Sequence, residues 1–119
     1  MTTTPPPDGD CAETVLAILD WVDHREVPDH VLSNAFELLT NRRRRLTLRV
    51  VRTYGDDLTL ADLAEEVAMR EFDRGIADIS AETVREVYVS LYHDHLPRLV
   101  DVGLLEYEQE RDLVSPGAL

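Results

Sequence analysis

The sequence contains no lysine. All 12 of its basic residues are arginines, set against 24 Asp plus Glu, for a formal net charge of −12. Excess carboxylates without lysine fit a protein working in a very salty cytoplasm. There carboxylates hold a hydrated, cation-rich surface, while long lysine stems add apolar area that salt drives together. An ordinary acidic protein that happens to lack lysine is the plain alternative. In dilute buffer this charge argues against nucleic acid, because phosphates repel carboxylates. At molar salt the Debye length shrinks to about 3 Å, and only contact geometry counts. Net charge therefore decides nothing about DNA.

Other shortages exclude more. The one cysteine, Cys11, rules out an internal disulfide, and no Cys/His spacing forms a zinc framework, so no metal is expected. No apolar run reaches the roughly 18 residues of a membrane span. The opening MTTTPPPDGD lacks the basic and apolar regions of a secretory signal, which makes the cytoplasm the expected compartment. Nucleophile elbow, phosphate loop, H-E-x-x-H and dinucleotide fingerprint are all missing, so neither an enzyme nor a cofactor is expected. A chain of 119 residues has length for one modest core.

What is present is mostly helical. Residues 1–11, rich in Thr and Pro, read as a disordered tail. An N-terminal helix over 12–28 places Ala12, Val15, Leu16, Leu19 and Val22 on one face, with Ile18 and Trp21 on another. Two apolar faces suggest a dimer interface through Leu16, Leu19, Trp21 and Val22, with Pro28 as the stop. A short helix from Asp29 carries Leu32, Ala35, Phe36 and Leu39 on one side. Asn41 caps a helix from Arg42 to Tyr54, which Gly55 closes. Leu58 begins a minimal strand, and Thr59 with Asp62 caps a helix bearing Leu60, Leu63, Ala64, Val67 and Ala68.

After a loop at 74–79, Ser80 starts a long helix to about residue 102, striped by Val84, Val87, Tyr88, Leu91, Tyr92, His95 and Leu99. Pro97 cannot donate to His93 and is expected to kink or tighten that helix. A hairpin over 104–115 and a C-terminal tail at 116–119 complete the chain. The expected fold is mainly α with a small β-hairpin. It is a winged helix-turn-helix over 29–115 with an extra N-terminal helix.

LLTNRRRR (38–45), LADLAEEVA (60–68) and YVSLYHDHLPRLVDVGLLEY (88–107) resemble a family of winged-helix domains of halophilic archaea whose function is unknown. More distantly, HLPRLVDVGLL is similar to the recognition-helix ending of ArsR-type and MarR-type repressors. The resemblance implies a transcription regulator, often a homodimer on double-stranded DNA, with no catalysis. Whether a small-molecule effector acts on it stays open. Asp94 departs from the repressors' neutral or basic residue, which puts phosphate contact there in doubt.

With the apolar stripe inward, the recognition helix offers Arg85, Ser90, His93 and Arg98 to DNA, and Arg111 sits at the wing tip. The same helix is rich in acids, so the alternative is a winged-helix adaptor that binds protein rather than DNA. Stepping 42–54 at 100° divides the arginine run. Arg42, Arg45, Arg49 and Arg52 share an exposed stripe, available to phosphates but expected to pair with the chain's own acids. Arg43 and Arg44 point inward and are expected to be structural, as is His95 on the core stripe. His93 and His95, two apart on a helix, cannot chelate one ion.

Overall fold

A computed structural model describes residues 9–119. The described chain is mainly helical, with one small three-stranded antiparallel sheet. It divides into two compact units, with the boundary between Ala35 and Phe36 rather than at residue 29.

In the N-terminal unit, α1 spans Gly9–Arg25, so its first turn takes in three residues of the expected tail. Asp10 suits the positive end of that helix, and its carbonyl accepts from Thr14 Oγ1 at 2.7 Å. Residues 1–8 of the expected tail lie outside the described residues. The helix stops at Arg25, before Pro28 is reached, because Glu26 turns left-handed with φ 52°. Leu16, Leu19 and Trp21 are exposed at 61%, 47% and 54%. Val22 is not among them: it is 9% exposed, one turn beyond half-buried Ile18 on the same face. A partner docking on α1 would therefore meet Val15, Leu16, Leu19 and Trp21, with Val22 facing away. The Arg25 guanidinium lies 5.2 Å from the Trp21 ring centre, a cation–π contact.

The helix α2, Asp29–Thr40, crosses the boundary between the units. Within the second unit its Leu38 packs against the core, while Phe36 and Leu39 are exposed. Periodicity found an apolar face on this helix but not the one that is covered.

Asn41 breaks the chain and accepts from the Arg44 amide, capping α3 (Arg42–Tyr54), which Gly55 ends at φ 66°. A two-residue strand, β1 (Leu58–Thr59), leads into α4 (Leu60–Phe72) through the Thr59 cap on the Asp62 amide. A 3₁₀ turn at Ile76–Asp78 and the Ser80 cap then open α5 (Ala81–Ser90). The helix does not tighten ahead of Pro97. It widens into a π turn, Leu91–His95, in which the Leu96 amide bonds to the Leu91 carbonyl five residues back. Pro97 has no N–H and its ring crowds the carbonyl four residues earlier, so an extra residue in the turn relieves both demands. The wider turn buries His95 and Leu96 side by side, along with Leu91 and Leu99. The last helical segment, α6, is Leu96–Asp101.

The hairpin is β2 (Leu105–Glu108) with β3 (Leu113–Pro116). β1 adds to β3, giving the order β1-β3-β2, with Leu58 opposite Val114 and Tyr107 opposite Val114 on the other side. Leu105 and Val114 face the core, where Val50, Leu60, Leu63, Leu91 and Leu99 are fully enclosed. Residues 116–119 are not a loose tail. The Gly117 and Ala118 amides bond to the Leu104 and Gly103 carbonyls at 3.0 and 2.9 Å, and Leu119 packs on the core. A Cβ at Gly117 would lie 2.5 Å from the Gly103 carbonyl oxygen, so this end of the chain closes backbone on backbone. Gly117→Ala should lower stability by about 1–3 kcal/mol, the usual cost of overpacking, read as a drop in the urea midpoint at unchanged slope.

Candidate nucleic-acid interface

Most arginines of the second unit are engaged by the chain itself. Arg43 makes a two-point contact with Glu71, at 2.8 Å through Nε and 2.6 Å through Nη2, which ties α3 to the end of α4 and raises the guanidinium's pKa. Arg44 is 9% exposed. Its Nε donates to His95 Nδ1 at 3.1 Å and its Nη1 to the Glu37 carbonyl at 3.2 Å. Arg42 donates to the Glu71 carbonyl, and Arg45 to those of Leu39 and Thr40. The expected pairing of the outer stripe with acids is thus replaced at these two positions. Their partners are helix-end carbonyls, which carry partial negative charge and lack intrahelical donors. Arg49 and Arg52 are exposed, with no partner among the described residues.

The face expected to meet DNA is sparser. Arg85 is exposed on α5 and has no hydrogen-bond or ion-pair partner among the described residues. Glu82, Glu86, Val89 and Ser90 surround it in a shallow depression, with Ser90 half-buried. His93 is exposed, its ring edge-on to Tyr92 at 4.9 Å. Arg98 is held by Asp94, 2.9 Å away and one helical turn earlier, with Glu37 at 4.0 Å. That bond lowers the Asp94 pKa and raises that of Arg98. At the hairpin turn Arg111 makes a two-point contact with Glu108 at 2.8 and 2.6 Å, which lowers the Glu108 pKa. Both pairs are solvent-exposed and so weakly held, which leaves a phosphate able to displace the carboxylate.

Three features escaped the sequence reading. The Asp94–Arg98 pair was legible in its i, i+4 spacing. Arg74, exposed in the α4–α5 connection, also lacks a partner among the described residues. Asp112, left-handed at φ 53°, accepts from the Tyr107 and Tyr88 hydroxyls and so pins the hairpin to α5. Burial and then the Asp112 bond push the Tyr107 phenol well above its usual pKa, so it stays a donor. No sequence spacing connects residues 24 apart.

The end of α2, the helices α3 to α6, the short strand β1 and a hairpin define a small helical domain closed by a three-stranded sheet. Residues 36–115 match the family described as Domain of unknown function (DUF7344), and the chain belongs to that family. No curated protein and no solved structure matches it.

His95 is 4% exposed, and desolvation lowers its pKa from the usual 6.5, with the neighbouring arginines adding to the effect and Asp94 opposing it. Protonation would also turn Nδ1 from the acceptor of Arg44 into a second donor. Because the folded pKa lies below the unfolded value, the unfolded chain binds the proton more readily. The stability this group supplies is complete above pH 6.5 and is lost as pH falls from there through the folded value. Urea titrations of wild type and His95→Gln should diverge across that window, with a slope difference of up to about 1.4 kcal/mol per pH unit. Parallel curves would mean that His95 does not titrate with folding.

Proposed function

We propose that residues 36–119 form a winged helix-turn-helix that binds double-stranded DNA, and that the chain is a cytoplasmic transcription regulator of a salt-adapted archaeon. In this assignment α3, α4 and α5 are the three helices, β1-β3-β2 the sheet, and the β2–β3 turn the wing. α5 is the recognition helix. The observation that carries it is Arg85. In a unit whose arginines are mostly engaged by the chain itself, the exposed face of the third helix keeps a guanidinium free to reach a guanine edge or a phosphate. Ser90 and His93 extend that face, Arg74 supplies a backbone contact directly, and Arg98 and Arg111 supply others once their weak surface partners give way. Pairing through the exposed apolar face of α1 would make a homodimer, and two half-sites on one duplex call for recognition helices about 34 Å apart.

A specific observation favours a second reading, a protein-binding adaptor of the same fold. Glu82 and Glu86 flank Arg85, and Val89 beside them is 44% exposed. Carboxylates there repel phosphate but suit a partner with basic and apolar groups.

Fluorescence anisotropy with genomic fragments, from low to molar KCl, separates the two. For a DNA reader Arg85→Ala weakens specific binding about tenfold or more, the worth of one good base contact, and Glu82→Gln with Glu86→Gln tightens it. An adaptor gives no specific complex with any fragment at any salt, and the Glu→Gln pair weakens capture of its protein partner.

A further inference from the structure

Where the π turn meets β2, the fold leaves a cleft of about 390 Å³, within the size range of small-molecule sites. Its floor is apolar: Leu96, which the wide turn has driven inward, then Pro97 and Val100. Tyr92 and Tyr107 form an aromatic corner, ring centres 6.3 Å apart and planes at 83°. Two donors nearby are already committed inside the protein. Gln109 Nε2 bonds to Tyr92 Oη at 3.4 Å, and the Tyr107 hydroxyl donates to Asp112. For a cation the cleft offers two tyrosine rings, the Gln109 amide oxygen and the Asp101 carboxylate at the rim; the donors left beside them are the Tyr92 hydroxyl and the His93 imidazole. No arginine lines the cleft among the described residues.

We propose that this cleft binds a small organic cation with a flat apolar body, such as an aryl or benzyl ammonium. The aryl group lies on Leu96, Pro97 and Val100, and the ammonium meets the tyrosine faces and Asp101. An anion meets the Asp101 carboxylate with no arginine to offset it, and a neutral hydrocarbon leaves that carboxylate unused. π turns recur at functional sites, and here the turn builds the floor that the ligand needs. The site stands whether or not α5 reads DNA.

The test uses the full chain and benzyltrimethylammonium in molar KCl, where the Debye length of about 3 Å removes general attraction to an acidic surface. Amide shifts in a titration followed by NMR should saturate at Tyr92, Val100 and Gln109. Asp101→Asn and Gln109→Lys alter exposed side chains and should each weaken binding about tenfold, equivalent to roughly 1.4 kcal/mol, with the folded spectrum retained. Benzylsulfonate, of similar shape and opposite charge, should not shift these amides. Shifts that fail to saturate, that both variants leave unchanged, or that benzylsulfonate reproduces would overturn the proposal.

Discussion

A buried guanidinium holds the centre of the second unit together. Arg44 bonds to no carboxylate among the described residues; its partners are the ring nitrogen of His95 and the backbone carbonyl of Glu37. Desolvating such a charge is costly, and every bond that offsets the cost has to be in place. One bond requires α2 to end where its Glu37 carbonyl points at α3. The other requires His95 to be neutral and turned inward, which the π turn ahead of Pro97 accomplishes. Proline chemistry, the charge on Arg44 and the end of α2 are therefore one constraint seen from three sides.

The same economy runs through the surface. With 12 arginines against 24 acids, most of the cations are engaged by the chain, and Arg49, Arg52, Arg74 and Arg85 are the ones without a partner among the described residues. Helix-end carbonyls hold Arg42 and Arg45, and nearby carboxylates hold Arg43, Arg70, Arg98 and Arg111. The arginine cluster at 42–45 is thus largely scaffold, fastening α3 to the ends of α2 and α4. Basic runs in sequence suggest nucleic acid, yet here the residue that best fits that role is the solitary Arg85, outside any run. The acids around it set a partner's chemistry as firmly as the arginine does.

Much of the fold was legible in local signals. Asn41, Thr59 and Ser80 cap helices because each side chain answers an orphan amide three residues on, and such caps are written in consecutive residues. The alternation of Leu105 and Tyr107 announced the hairpin, and helical stepping separated Arg43 and Arg44 from Arg42 and Arg49. What stayed hidden depends on partners distant in sequence. Periodicity shows that α2 has an apolar side but not that Leu38, rather than Phe36 or Leu39, meets the core. It marks Pro97 as a disturbance without saying that the helix widens instead of kinking. The carbonyls that take Arg42 and Arg45, and the Asp112 bonds to Tyr88 and Tyr107, exist only once the elements are packed.

The salt dependence of DNA affinity tests the central claim most directly. Each neutralised phosphate contributes about −0.9 to the slope of log K against log salt concentration. The α4–α5 connection, the α5–α6 helix and the hairpin together carry only Arg74, Arg85, Arg98 and Arg111. A DNA reader of this design gives saturable specific binding with a slope no steeper than about −4 per 36–119 unit. Absence of specific binding at every salt concentration would contradict it, as would a slope near −10 per unit, which needs more cations than these elements hold.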